Sequence, residues 1–324
     1  MTKSRRQIIR LAPFAVLLLV ALAAVIIEPR FYSGANLRNV ARSAAFLSVV
    51  AVGQLLVVIV RGLDLSVGAV ITTTLLLTVY IAGTAPGRLP LALLAVLAAA
   101  VAIGALNAFL VVLRRVPAIL ATLATFFLIQ GAGLWLTQGR SRGRVPDELR
   151  LIGSGSIAGT VPIAVVIAAA IAILVGMILS RTSYGRAIYA VGSNPQAAHL
   201  SGIRYRTVTA FALIGCSCLA MLAGLMLAGN VGFYDRTLGV GFDLDSIAAV
   251  VLGGASLAGG SGKVGGTVAA ATGLAALDNL LLLAGVPAPA QLIAKGIVLF
   301  LAVLAAGWIF RPSGEGAAQS PVTA

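Results

Sequence analysis

Residues 89–113 read LPLALLAVLAAAVAIGALNAFLVVL, a run from Leu89 to Leu113 without one charged side chain. In a helix, about 20 such residues cross the hydrocarbon core of a bilayer. Comparable runs lie on either side: Leu11 to Ile27, Ala44 to Val60, Ser66 to Gly83, Pro117 to Leu136, Val161 to Ser180, Thr207 to Gly229, Leu244 to Leu257, Val264 to Ala284 and Ala290 to Phe310. The fold class is therefore all-α, a polytopic membrane protein of about ten transmembrane helices. Composition agrees: 60% of the 324 residues are hydrophobic and 10% charged, with a mean hydropathy of +1.07. A soluble domain carries about a quarter charged residues.

The N-terminus has a basic start and an apolar core, as a signal peptide does. A cleavable signal has a core of only about 7–15 residues, whereas Leu11 to Ile27 is longer and leads into Glu28-Pro29-Arg30. We read it as an uncleaved first span. Ten spans put both termini on one side, and Lys3, Arg5, Arg6 and Arg10 place that side in the cytoplasm by the positive-inside rule. Loops on that side hold thirteen Lys and Arg against nine outside, a modest bias in the expected direction. Residues 1–10 are then a cytoplasmic N-terminus and 11–310 a single transmembrane domain. Residues 311–324 are expected to be a disordered cytoplasmic tail. The span at Leu244 to Leu257 reaches only about 21 Å. It either borrows length from Gly239-Val240-Gly241-Phe242 or is a broken or re-entrant helix, which would move the C-terminus outside.

Several function classes drop out. The net charge of +14 sits between apolar spans rather than on a polar face, which excludes nucleic acid as a partner. Cys216 and Cys218 lie inside one apolar run and read as small buried hydrophobes. His199 is the only histidine, so no metal site is expected. No Ser–His, paired-carboxylate or metal-ligand set converges in the spans, so the chain is not expected to be an enzyme.

Four segments carry more information. In Arg61-Gly62-Leu63-Asp64-Leu65-Ser66-Val67-Gly68, an acid close to the membrane needs protein, water or a partner charge. Asp64 either accepts bonds from amides freed at a helix break, pairs with Arg61, or caps a tight turn; Gly62 and Gly68 permit the break. Gly253 to Thr267 is glycine-rich, yet Gly262-Lys263 is not a phosphate loop. That motif needs glycine where Leu257 stands and a hydroxyl where Val264 stands, so no ATP site is visible and no cofactor is expected. Between Arg181 and Arg206, Asn194 can cap a helix starting at Pro195, running through Ala197 to Ser201 and stopping at Gly202. Such a short helix suits docking into a groove on a soluble partner. Finally, Asp278 and Lys295 lie at similar depth in the last two spans and can pair, to line a pathway or to hold helices together.

The blocks Gly62 to Gly68, Gly185 to Ile203 and Phe242 to Gly266, with Pro117 to Thr125 and Gln291-Leu292-Ile293-Ala294-Lys295-Gly296, together resemble the membrane permease of ribose-type ABC sugar importers. The likeness runs from about Asn36 to Ala306. It departs where Arg61 stands for a frequent glycine and Asp278 for a common asparagine. The resemblance implies a multi-pass protein of the bacterial inner membrane that carries a monosaccharide. It also implies partners: a cytoplasmic ATP-binding cassette protein, expected to be twin-cassette, which binds the ATP; a periplasmic sugar-binding protein; and a second permease subunit, as homodimer or heterodimer. It makes Arg181 to Arg206 the ATPase-coupling loop, with Gly185, Arg186, Asn194, Pro195, Ala197, Ser201 and Gly202 as contact residues. A pathway for uncharged sugar needs hydroxyls, amides and aromatic rings, for which Gln54, Asn107, Thr122, Thr125, Phe126 and Gln130 are candidates. Related permeases for nucleosides or branched-chain amino acids remain alternatives. An ion-coupled carrier would favour mid-membrane carboxylates, which the sequence lacks.

Overall fold

A computed structural model describes residues 17–309 except 84 and 142. The expectations for residues 1–16 and for the tail beyond 309 fall outside the described residues. An apolar helix α1 (Leu17–Ile27) leads through a 3₁₀ turn into α2 (Gly34–Ile59), and α3 (Val67–Ile81) follows after a break. Next come α4 (Leu89–Ala108), widened into a π turn over Phe109–Leu113, and α5 (Ala118–Thr137). The polar stretch beyond α5 holds α6 (Arg150–Gly153) and a two-stranded hairpin, β1 (Ser156–Ile157) against β2 (Val161–Pro162). Then follow α7 (Ile163–Arg181), α8 (Ser183–Ser193), α9 (Pro195–Leu200) and α10 (Tyr205–Val231). The chain closes with α11 (Phe242–Leu252), α12 (Val264–Leu283) and α13 (Ala288–Ile309). Among the described residues, six helices are long and apolar enough to cross a membrane: α2, α4 with its π turn, α5, α7, α10 and α12; α1 and α3 are shorter apolar helices.

The helix α2 is the post around which the others stand. Its apolar window is 89% buried, against 22% for α4 and α7 and 17% for α5. Lipid offers no hydrophobic drive between apolar helices, so close approach through small residues must hold them. At Gly53 a Cβ would sit 3.2 Å from the Cys216 backbone of α10. Cys216 is buried and Cys218 half-buried, both as free thiols. At Gly104 of α4 a Cβ would lie 2.6 Å from Ile214 Cα, again on α10.

At about 1.5 Å per residue, the 26 residues of α2 also measure the thickness of the bundle. At its first turn, Asn36 and Asn279 of α12 exchange side-chain hydrogen bonds of 2.7 and 2.9 Å. The 137–162 stretch covers this same end, where the Arg42 guanidinium donates to the Ser154 carbonyl at 2.9 Å. At the far end, the Ile59 carbonyl accepts from Gly260 N–H at 2.9 Å. The doubtful span can be placed on this scale. Helix α11 begins two residues before the expected Leu244 and stops at Leu252, five short of Leu257. Residues 253–263 continue as irregular chain to the Ile59 end, so α11 is a short helix lying along α2 that breaks off before that end. Gly254, at φ +86°, turns the chain out of the helix, and Gly253 lets it pass close to α12, where a Cβ would meet the Thr267 amide at 2.6 Å.

Substituting Gly104→Val should force α4 from α10 and cost about 1–3 kcal/mol. Gly176→Ala, where no atom lies within 4 Å of the new methyl, should be neutral or stabilise by about 0.5–1 kcal/mol. Thermal unfolding in detergent separates the two, and equal midpoints would remove small-residue contact as the basis of this packing.

Candidate functional site

Beyond Ile59 the chain turns back along α2 without forming a helix. Arg61 takes a left-handed conformation, φ +66°, and Gly62 N–H returns to the Val57 carbonyl at 2.9 Å. Residues 62–64 form neither helix nor strand, 65 and 66 turn into α3, and Asp64 is fully buried beside Gln54. A non-helical segment cannot satisfy its own peptide groups, and inside a membrane protein each bare group costs several kcal/mol. Side chains supply what is missing. The Gln54 amide donates to the Asp64 carbonyl and accepts from the Asp64 N–H, each at 3.1 Å. Leu65 N–H donates to Thr122 Oγ1 at 3.1 Å. Asp64 Oδ1 accepts from Ser66 N–H at 2.9 Å and from the Ser66 hydroxyl at 2.6 Å, while Asn107 Nδ2 donates to Ser66 Oγ at 2.9 Å.

Asp64 thus serves the freed amides of the break, and the pair with Arg61 does not form. The Arg61 side chain leaves in another direction, donating to the carbonyls of Gly192 and Ser193. Of the six polar or aromatic candidates, the structure gathers Gln54, Asn107 and Thr122 around this one segment. Thr125 bonds the Ala121 carbonyl of its own helix at 3.0 Å. Phe126 and Gln130 lie half-buried on α5. Gly68 closes the segment, and a Cβ there would meet the Gly239 carbonyl at 2.5 Å, just before the second broken span.

At the Asn36 end of the bundle, Lys295 of α13 reaches Asp278 Oδ2 of α12 at 2.9 Å, the expected pair. It also reaches Asp245 Oδ2 of α11 at 2.8 Å, a third member that the sequence reading missed. Its signal was present: Asp243 and Asp245 are two acids at the start of a span too short to tolerate them unpaired. The trio borders a cavity of about 360 Å³ between α2, α11, α12 and α13. Ser43, Asn230, Asn279 and Gln291 line it together with Phe46 and Phe242. Such walls offer hydroxyl and amide groups, two ring faces and one net negative charge.

The opposite end carries α8 and α9. Thr182 caps α8, its hydroxyl accepting from Gly185 N–H at 3.1 Å. Gly185 turns tightly on α7, where a Cβ would lie 2.3 Å from the Leu179 carbonyl. Helix α8 was not foreseen, although Tyr184, Ile188 and Val191 recur at helical spacing; Ile188 and Val191 are buried. The Tyr184 hydroxyl donates to the Val208 carbonyl at 3.3 Å, and that of Tyr189 to the Gly262 carbonyl at 2.8 Å. Burial pushes the Tyr184 phenol up to about 12 and that of Tyr189 upward as well, so both remain neutral donors.

Helix α9 forms as the residues dictate. Asn194 Oδ1 accepts from the N–H groups of Gln196 and Ala197, both at 3.0 Å, with Pro195 first in the helix. The Ser201 hydroxyl donates to the Ala197 carbonyl at 2.9 Å, and Gly202 ends the turn at φ +79°. Ala198 faces inward, whereas Gln196, Ala197, His199 and Leu200 are exposed, Leu200 by 87%. Arg186 is exposed on α8 and donates to Ser183 Oγ at 2.9 Å.

Residues 36–303 match the family described as branched-chain amino acid transport system / permease component. The chain is 37% identical over 294 residues to the ribose import permease protein of Escherichia coli (strain K12), covering 90% of this chain and 91% of that one. It is 34% identical to the ribose import permease protein of Haemophilus influenzae, covering 91% and 92%. To the autoinducer 2 import system permease protein of Yersinia enterocolitica it is 34% identical, covering 89% and 81%. No solved structure matches it.

Replacing Thr122 by Val should strand the Leu65 N–H and cost about 1–3 kcal/mol, while Thr122→Ser should stay near the parent in thermal unfolding. Equal losses in both would show that the hydroxyl does not hold the segment. Lys295→Met leaves two carboxylates without a cation and should cost about 2 kcal/mol or more. Asp278→Asn, which keeps the Lys295–Asp245 pair, should cost less, and a reversed order would remove Lys295 from the centre of the cluster.

Proposed function

The chain belongs to the branched-chain amino acid transport system / permease component family, and we propose that it carries a monosaccharide, a ribose-like pentose or a hexose, through the bacterial inner membrane. In this reading it is the permease of a binding-protein-dependent importer and leaves ATP hydrolysis to another subunit. The names of its relatives support the sugar, since ribose import permeases align with about nine-tenths of the chain.

The observation that carries the coupling is α9. A six-residue helix, capped by Asn194 and ended by Gly202, presents an exposed apolar Leu200 at one extreme of the bundle. That is the shape of an element seated in the groove of a soluble partner. The partner is an ATP-binding cassette protein, twin-cassette by expectation, and Gly185, Arg186, Asn194, Pro195, Ala197, Ser201 and Gly202 form the coupling surface. The α9 end is then cytoplasmic. Ten spans follow, namely α1 to α5, α7 and α10 to α13, with α11 as the broken one. Both termini are cytoplasmic, with residues 11–310 as the permease domain and 1–10 and 311–324 outside the membrane. At the other end a periplasmic binding protein delivers the sugar, and a second permease subunit, identical or distinct, completes the pathway. Phe126 and Gln130 line that pathway directly. Gln54, Asn107, Thr122 and Thr125 shape it through the segment and helix they hold.

The family description also names branched-chain amino acids. A zwitterion needs a free cation for its carboxylate and a free anion for its ammonium. Lys295 already bridges two acids, so the cavity beside it offers the hydroxyls of a sugar better partners than it offers an amino acid.

In proteoliposomes holding the permease with its ATPase, and with binding protein added, radiolabelled D-ribose should enter only with ATP, and leucine should not compete. Leucine entry without ribose entry would overturn the substrate, and uptake without ATP would overturn the class. Asn194→Ala, by loosening the cap at about 1 kcal/mol, should weaken ATPase docking roughly fivefold.

A further inference from the structure

Arg61 holds a left-handed backbone that penalises any residue with a Cβ and that glycine would adopt freely. From there its side chain crosses to the end of α8. Nε donates to the Gly192 carbonyl and a terminal nitrogen to the Ser193 carbonyl, each at 2.6 Å. These are among the last carbonyls of a helix, which have no partner within it and carry the negative end of its dipole. A guanidinium fork meets them with short, charge-assisted bonds. The residue after Ser193 is Asn194, the cap of α9.

The surroundings leave this junction little play. Gly192 lies so close to the end of α2 that a Cβ would overlap the Ile59 carbonyl at 1.8 Å. Gly260 N–H donates to that same carbonyl at 2.9 Å. A Cβ on Gly259 would strike Arg61 Cγ at 2.3 Å. On the other side of Arg61 begins the non-helical segment 62–66, tied through Gln54, Thr122 and Asn107 to α2, α5 and α4.

We propose that Arg61 is the positioning residue that makes α8, α9 and the non-helical segment 62–66 move as one body, so that displacement of α9 reaches the break between α2 and α3. The inference rests on α9 being the ATPase contact. A rigid link of this kind converts movement at one site into rearrangement at another only if it persists in both states.

The test uses the whole transporter in proteoliposomes, with radiolabelled D-ribose as probe. Arg61→Gly keeps the backbone and removes the fork. It should retain bound ATPase, ATP hydrolysis and thermal midpoint, while ribose moved per ATP falls about tenfold, within the usual range of coupling between sites. Arg61→Lys, a point charge in place of a fork, should fall between. Unchanged ribose per ATP in Arg61→Gly would overturn the proposal. A second arm leaves Arg61 in place: spin labels at Ser183→Cys on α8 and Leu63→Cys in the segment, on a background with Cys216 and Cys218 replaced by Ala, should keep their separation with and without ATP. A change beyond the roughly 2 Å of an ordinary helix shift would overturn it as well. If unsubstituted transporter shows no ATP-dependent uptake, the functional reading fails, and the label distances still judge the link.

Discussion

Five non-helical residues, from Gly62 to Ser66, set the terms for this structure. The flanking helices pair only the ends of this segment, Gly62 N–H with the Val57 carbonyl and the Ser66 carbonyl with Val70 N–H, which leaves the peptide groups between them to other partners. Each support therefore comes from elsewhere in the chain: Gln54 on α2, Thr122 on α5 and Asn107 on α4, with Asp64 and Ser66 bonding each other. Those supports fix where α4 and α5 stand relative to the central post. Polar residues that look like pathway lining are first of all the hydrogen-bond partners of this segment.

The second broken span has a related construction. Helix α11 supplies only 11 residues, and glycine-rich chain completes the passage along α2. The first turn of α3 meets the chain leading into α11 where Gly68 approaches Gly239. Broken helices tolerated in a membrane lie against protein or a water-filled cavity, and here the cavity beside Asp245, Asp278 and Lys295 opens next to α11. Three charges at one depth hold α11, α12 and α13 together while leaving amides and hydroxyls free to face a solute. One cluster thus joins the packing of the bundle to the chemistry of its cavity.

At the opposite end, order is built from helix ends. Thr182 caps α8, Asn194 caps α9, and Arg61 closes the carbonyls between them. Capping in series leaves α9 firm but exposed, with Tyr184 and Tyr189 fastening α8 to α10 and to the glycine-rich chain. A firm projection is what transmission of force from a soluble partner requires.

The apolar runs, the cap at Asn194-Pro195 and the stop at Gly202 could all be read from the chain because each depends on residues a few positions apart. The Asp278–Lys295 pair was legible for a similar reason, since two adjacent spans joined by a short turn must share their depth. Asp245 in the same cluster, the true ends of α11, the course of Arg61 toward Gly192, and the commitment of Gln54, Asn107 and Thr122 to one segment were not. Those contacts link residues from ten to more than a hundred positions apart, and no local periodicity records them. The sequence by itself determined that the chain lives in lipid and which apolar runs become its long helices, though not where each begins: α2 starts at Gly34, ten residues before the expected Ala44. Only the tertiary structure decided which spans break, because a break is tolerated only where distant side chains arrive to satisfy the exposed backbone.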